Sequence, residues 1–375
     1  MKVFLFQALI VHLIFNVYVF VRGWQVLPKK NAYRIPYALL FIIELIVYLT
    51  GLIFNVNLPA TILKPILLVG TWWMVLIGYT TALLLIYDFI QFQGRWFDPI
   101  RKLNLQKIGL KRIFLVISLV VVISSMSYGH YRFWHPVVTE MDLTVNKKAD
   151  GLKNLRVVMV ADIHAGHLID KGVLSMYVDK IMEQKPDVIL IVGDIIDYDL
   201  PPLIDQKMDE EFRRLKAPYG VYASTGNHEY RLNGEEKIAW LASETGMTML
   251  RDTAIKVADK FYIVGREDDH AENRKSLPDI MEHVDKQLPV IVMNHEPKRL
   301  SEESSEQADL AVYGHTHNGQ LFPYNLIMSM IYEVGHGYKK KDNTHVYVTS
   351  GLGLAGPQYR IGTISEIVVL NLHFD

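Results

Sequence analysis

Five short segments after residue 160 hold side chains able to do chemistry. Asp162-Ile163-His164 lies just beyond the run RVVMV, Gly193-Asp194 beyond DVILIV, and Gly226-Asn227-His228-Glu229 beyond GVYAST. Asn294-His295 follows PVIVM, and Gly314-His315-Thr316-His317 follows ADLAVY. Loops at strand ends are where a rigid sheet can aim several side chains at one point. Asp162, Asp194, Asn227, His164, His295, His315 and His317 supply two carboxylates, one amide oxygen and four imidazoles, a hard-to-borderline donor set. That set exceeds the needs of one tetrahedral ion and suits two divalent ions sharing a carboxylate. Mixed oxygen and nitrogen donors admit Mn²⁺, Zn²⁺ or Fe equally. In an extended segment alternate residues point the same way, so Asp162 and His164 are expected to reach a common ion, and the same argument applies to His315 and His317. Cysteine is absent, which excludes thiolate ligands, a thiol nucleophile and a disulfide framework.

The elements that must position these residues are legible around them. From Arg156 onward, short Val- and Ile-rich runs alternate with helical or polar stretches, the pattern of an α/β sandwich over residues 156–375. Ahead of it, residues 3–21, 36–56, 65–90 and 113–128 are apolar runs near or above the roughly 17 to 25 residues that cross a hydrocarbon core. The first is long for a signal peptide and lacks an A-x-A-like cleavage site, so it reads as a retained span. Residues 1–135 are therefore expected to form a four-helix transmembrane module, joined by a linker at 136–155 to the sandwich domain.

Charge divides at the same place. The chain has a net charge of −1, yet residues 1–135 hold 13 basic and three acidic residues, leaving 26 and 37 for the remainder. Ten of the 13 lie in two connections: Arg22, Lys29, Lys30 and Arg34 after the first run, and Arg95, Arg101, Lys102, Lys107, Lys111 and Arg112 after the third. Positively charged short loops stay in the cytoplasm, so both termini and the sandwich domain are expected outside it, in a multi-pass cell (inner) membrane protein. Glu44 sits mid-span, and His12 and Asn16 are spaced i, i+4 on the first span; these read as a polar contact between spans. Trp24, Trp96 and the segment YGHYRFWH (128–135) read as interfacial anchors.

The series Asp162-x-His164, Gly193-Asp194, Gly226-Asn227-His228-Glu229, His295 and Gly314-His315-Thr316-His317 resembles the calcineurin-like metallophosphoesterases, over roughly residues 155 to 372. Within that superfamily it is similar to the membrane-associated bacterial YkuE-like branch, on HTHNGQ (315–320), GLGLAGP (351–357) and the ending from Arg360 to Leu372. Members often have glycine where Asn318 stands; asparagine also tolerates a left-handed backbone. The resemblance implies a metal-dependent phosphoesterase with Asp162, His164 and His317 on one ion, Asn227, His295 and His315 on the other, and Asp194 bridging both. It also implies that His228 sits beside the metals without ligating them, contacts the phosphoryl oxygen and helps protonate the leaving group. Two cations about 3.5 to 4 Å apart would lower the pKa of a shared water and offset the charge of in-line attack, so hydroxide serves and no protein nucleophile is required. Imidazole is suited to general acid catalysis near neutral pH, with adjacent Glu229 the expected orienting partner.

Tethering favours a phosphodiester or pyrophosphate of a lipid or envelope component as substrate. Two alternatives stand beside this reading. Enzymes of the superfamily cleave UDP-2,3-diacylglucosamine, a cytoplasmic substrate whose side of the membrane conflicts with the charge pattern. A non-catalytic membrane receptor could keep the fold, although all seven donors and His228 are present. The stretch from Leu321 to Tyr338 (LFPYNLIMSMIYEVGHGY) is expected to be a core-packed helix followed by a solvated turn. The same stretch also fits an apolar lipid entrance, with His336 or Lys339 to Lys341 at the head group. Acidic stretches at 205–211 and 302–306 read as solvated helix faces. The net-negative domain lacks a basic stripe, which speaks against a nucleic-acid partner.

Overall fold

The structure, a computed structural model, describes residues 2–54 and 58–375, with side chains described at 7–51, 58–59 and 61–375. Positions 55 and 56, expected at the end of the second span, lie outside the described residues. Two compact units divide the chain, Met1–His130 and Tyr131–Asp375.

The first unit is built from α1 (Lys2–Val26), α2 (Asn31–Phe54), α3 (Ala60–Gln93), the short α4 (Asp98–Lys102) and most of α5 (Ile108–Trp134). Among the described residues, four stretches are long and apolar enough to cross a membrane: Gln7–Val26, Asn31–Gly51, Thr61–Gln93 and Ile108–Trp134. The fourth, expected as the shortest run, is a helix of 27 residues. It continues through Lys111, Arg112 and the aromatic segment after Tyr128, because long basic and aromatic side chains tolerate a helix end at a lipid–water interface. Inside this unit His12 Nε2 lies 3.0 Å from Glu44 Oε1. Asn16 Nδ2 donates to the His12 carbonyl at 2.9 Å, and Trp73 Nε1 donates to Asn16 Oδ1 at 2.9 Å. One polar chain thus joins α1, α2 and α3, as a buried polar group without water requires.

The second unit holds twelve strands: β1 (Val137–Val145), β2 (Asn154–Val160), β3 (Val188–Val192), β4 (Val221–Ser224), β5 (Thr248–Met249), β6 (Thr253–Val257), β7 (Phe261–Gly265), β8 (Val290–Met293), β9 (Leu310–Tyr313), β10 (Gly337–Lys341), β11 (Thr344–Val348) and β12 (Glu366–Phe374). Its helices are α6 (Lys171–Glu183), α7 (Pro201–Asp205), α8 (Asp209–Phe212), α9 (Gly234–Glu244), α10 (Leu277–Met281), α11 (Leu300–Ser305) and α12 (Tyr324–Ile331). The strands form two six-stranded sheets, in the orders β1-β12-β2-β3-β4-β5 and β10-β11-β9-β8-β7-β6. β2, β3, β4 and β5 run parallel in the first sheet, and β7, β8, β9 and β11 in the second.

Alternation along each strand shows how the layers stack. Val157 and Met159 belong to the apolar core shared by both sheets, whereas Val158 and Val160 belong to the core on the helix-covered face. β3 repeats this, with Val188, Leu190 and Val192 between the sheets and Ile189 and Ile191 beneath the helices. In the second sheet Ile291, Met293, Leu310 and Val312 face the first, while Val290 and Val292 face α10. A strand buried on both faces has no polar alternation, which is why these segments read as continuous Val/Ile runs. The side chain of Phe133, in the last turn of α5, is fully buried in the core on the helix-covered face.

The stretch 136–155, expected as a linker, contains β1. VVTEMDLTV alternates with period two and pairs in parallel with β12 from Val137↔Glu366 to Val145↔Phe374. Its half-exposed edge position explains the polar residues that masked it.

Candidate metal centre

The loops beyond β2, β3, β4, β8 and β9 carry all eight residues singled out by sequence. Atoms of Asp162, His164 and His317 able to ligate a metal lie within 4.8 Å of one another. Two further groups meet the same limit, Asp194 with His295 and His315, and His164 with Asp194 and His228. Asn227 Oδ1 lies 3.0 Å from His315 Nδ1, which brings the amide to the second cluster. Asp194 belongs to the group of His295 and His315, and its Oδ2 lies 3.8 Å from His164 Nε2 in the first group, which suits a shared carboxylate. His315 and His317 diverge, one toward Asp194 and His295 and the other toward Asp162 and His164.

The backbone achieves this in a way that differs from the extended geometry expected of D-x-H. Asp162, His164, Asp194, His315 and His317 have φ of 56°, 53°, 51°, 70° and 49°, all left-handed. For side chains other than glycine this costs about 1 to 2 kcal/mol each and persists only where neighbours enforce it. Here Asp162 N–H donates to the Gly193 carbonyl at 3.1 Å and His164 N–H to the Asp194 carbonyl at 3.0 Å. Asn318 is also left-handed, with φ 47°. Glycine precedes Asp194 for a steric reason: at φ +72°, a Cβ on Gly193 would stand 2.5 Å from His295 Nδ1. A Cβ on Gly226 would run into the Asp194 carboxylate.

Glu229 is fully buried and does not orient His228 as expected. Its carboxylate accepts the main-chain N–H groups of Asp194 (2.8 Å), Ile195 (2.8 Å), Ile196 (3.0 Å) and Gly226 (2.8 Å), fastening two ligand loops together. Asp197, which sequence reasoning missed, serves His228 instead. Its main-chain carbonyl accepts from His228 Nδ1, and its carboxylate lies 3.4 Å from Nδ1 of both His228 and His164. A second acid three residues after Asp194 in GDIID was the signal. Arg360 was likewise overlooked as a site residue. Fully buried, its guanidinium donates to the carbonyls of His317 (3.0 Å), Ser350 (2.7 Å), Gly351 (2.9 Å) and Gly353, and burial brings its pKa down to about 10.

Electrostatics mark the cradle as a place for positive charge. Burial pushes the Asp162 carboxyl up. Burial acts on Asp194 in the same direction, but His295, His164 and His228 hold it well below the usual range. Burial opposes charge on His295, yet Asp194 and Asp162 hold this imidazole well above its ordinary value. Burial, then the neighbouring His295, pushes His315 down to about 4, and burial, then His164, holds His317 well below its ordinary value.

The donor set fits a metal. His295 Nδ1 donates to the Val192 carbonyl at 2.8 Å, so its neutral form has a lone pair on Nε2. That Nε2 is buried outside hydrogen-bonding geometry and faces Asp194 Oδ2 at 3.2 Å. Two acceptors face each other there unless a cation or proton lies between them. Metal-ligating histidines characteristically tie their other nitrogen to a carbonyl or carboxylate, as His295 does, while His164 Nδ1 faces the Asp197 carboxylate at 3.4 Å.

Residues 155–319 match the family described as calcineurin-like phosphoesterase. The chain carries a calcineurin-like metallophosphoesterase domain. Relatives extend the likeness to the apolar helices. An uncharacterized metallophosphoesterase of Campylobacter jejuni is 28% identical over 398 residues, spanning 99% of each chain. The uncharacterized metallophosphoesterase YkuE of Bacillus subtilis is 27% identical over 273 residues, covering 70% of this chain and 96% of that one. A transmembrane protein with metallophosphoesterase domain from Danio rerio is 30% identical over 247 residues, covering 62% of this chain and 56% of the relative. The metallophosphoesterase domain, with its buried His and Asp groups able to hold metal ions, is that of a phosphoesterase hydrolase, and the four apolar helices associate it with a membrane.

Proposed function

We propose that the chain is a membrane-anchored, dimetal-dependent phosphohydrolase that cleaves a phosphodiester or pyrophosphate bond of a lipid or envelope component on the extracytoplasmic side of the inner membrane. The observation that carries this reading is that Asp194 groups with His295 and His315 while its Oδ2 also lies 3.8 Å from His164 Nε2 of the other cluster, in a chain with four helices among the described residues able to span a bilayer. Asp162, His164 and His317 would hold one divalent ion, Asn227, His295 and His315 the second, and Asp194 both. When bound, such a pair supplies Lewis-acid activation of water and charge neutralisation at phosphate.

The protein's own groups do the rest. Nδ1 of His228 is committed to the Asp197 carbonyl, so Nε2 is the atom free to carry a transferable proton. That Nε2 lies 3.9 Å from Asp194 Oδ2, on the ligand side of the ring. A proton held there passes to the leaving oxygen as the phosphorus–oxygen bond breaks. Asp197 fixes the ring, Glu229 fixes the Asp194 loop, and Arg360 fixes the carbonyls around His317.

Ten of the first module's 13 basic residues lie in the two connections assigned to the cytoplasm, which supports the outward reading. A reporter fused after Asp375 tests it: an external signal is expected, and a cytoplasmic signal would favour a UDP-2,3-diacylglucosamine pyrophosphatase. Hydrolysis of phosphomonoesters, phosphodiesters, glycerophospholipids and nucleotide-linked lipids in detergent, by the parent and by His228→Ala, tests the substrate class. Diester or anhydride cleavage lost in the variant is expected. Activity on soluble monoesters alone would sink the lipid assignment, and no activity despite bound metal would favour a receptor.

A further inference from the structure

α12 is the one part of LFPYNLIMSMIYEVGHGY expected to pack into the core that instead stands outside it. None of its eight residues is buried, and none is charged. Phe322, Tyr324, Leu326, Ile327, Met330 and Ile331 are all exposed, with Met330 at 85% and Ile331 at 64%. Contiguous apolar surface of this kind is rare unless something covers it. Of its polar side chains, Ser329 is bonded within the helix, its hydroxyl donating to the Leu326 carbonyl at 2.8 Å.

The helix is nevertheless fastened to the metal centre. Tyr332, directly after it, donates its hydroxyl to Glu296 Oε1 at 3.1 Å, and that same oxygen lies 3.4 Å from His315 Nε2. The Tyr332 and His315 rings approach to 6.3 Å between centroids. Thr316 Oγ1 donates to the Gly335 carbonyl at 2.7 Å, binding the loop after α12 to the ligand loop. His336 is held inward by Glu366 at 3.2 Å, so it is a strut for this loop and not a free head-group contact.

We infer that α12 is a lipid-docking helix, whose apolar face enters the outer edge of the bilayer and holds the metal centre's opening, at His315, against the head-group layer. This rests on the reading of the substrate as a membrane lipid, and adds how the site reaches it. Three features favour a bilayer over a protein as the occupant. Only His135 and Pro136 separate α5 from β1, so the chain tethers the domain within two residues of an apolar helix able to cross a bilayer. α12 carries no charged side chain, whereas protein interfaces draw part of their specificity from charge. Close by, Lys339, Lys340 and Lys341 outnumber Glu333, which pairs with the first and last of them, and Asp342, leaving one net positive charge suited to anionic head groups.

The absence of cysteine makes the test direct. Full-length Met330→Cys, labelled with an environment-sensitive fluorophore and reconstituted in anionic phospholipid vesicles, is compared with Asp259→Cys in the exposed β6–β7 turn, using lipids brominated along the acyl chain. Quenching of at least twofold at position 330, with none at 259, is expected. Emission at 330 that ignores the brominated lipid overturns the proposal, as does concentration-dependent self-quenching without lipid quenching, which would place a second copy on the face. Hydrolysis of a soluble aryl phosphodiester by the same preparation reports on the catalytic reading separately.

Discussion

The Glu229 carboxylate accepts the main-chain N–H of Asp194 at 2.8 Å, so the residue placed between the two ligand clusters is positioned by an acid that ligates nothing itself. Four buried N–H groups converge on that carboxylate, and burial together with Asp194 raises its pKa. Glu229→Ala is expected to strand all four donors, lowering unfolding stability by about 3 kcal/mol or more and abolishing metal binding. Glu229→Gln, which keeps one acceptor oxygen, should lose less. Chemical denaturation of the detergent-solubilised chain measures this, and an Ala variant within about 1 kcal/mol of the parent would contradict it.

Asp197 acts through two imidazoles. Burial favours its neutral form, but hydrogen bonds from His164 and His228 hold its pKa well below the usual range. Asp197→Asn is expected to lower kcat by about 10- to 100-fold, with KM little changed and an altered pH–rate profile. Equal losses in Asp197→Asn and a variant that merely unfolds would show a structural role only, so thermal midpoints accompany the kinetics.

Glu366 carries a pH signature away from the metal centre. Burial would raise its pKa, but His336, Thr139 and the Ser350 N–H bring it down to about 2 from an ordinary 4.5. A depressed carboxyl contributes stability that is present above its unfolded pKa and lost as pH falls through the folded one. The contribution is about 3 kcal/mol, disappearing between roughly pH 4.5 and 2. Thermal midpoints of the full chain and of Glu366→Gln should therefore converge as pH falls through that window; a gap unchanged at pH 2 would contradict the assignment.

Metal binding and protons compete at His295, which Asp194 and Asp162 hold protonated above its ordinary range. A ligand must be neutral to bind, so affinity should fall on acidification, with proton release on loading. Titration calorimetry in buffers of differing ionisation enthalpy measures the protons released, and binding without release would count against His295 as a ligand.

What the sequence shows and conceals follows from local against long-range causes. The five strands were readable because burial on both faces makes them Val- and Ile-rich, and each ends abruptly in ligand-type residues. Asp197 and Arg360 were not, because their importance lies in contacts with His228, His317 and Gly351 that no local pattern announces. The D-x-H spacing suggested extended backbone, whereas tertiary hydrogen bonds to Gly193 and Asp194 impose left-handed turns. β1 hid in polar sequence because it is an edge strand. α12 has apolar residues that fit a core as well as they fit a membrane, and composition alone does not say which side is covered.

The central claim is that Asp194 serves two metal ions that together make this domain a phosphohydrolase. Its most direct test is divalent-metal-dependent hydrolysis of an aryl phosphodiester by the purified full-length chain, compared with Asp194→Asn. The account predicts activity that chelation removes and metal restores, falling at least about 1,000-fold in the variant. Equal rates in the parent and Asp194→Asn, with metal bound to both, would contradict it.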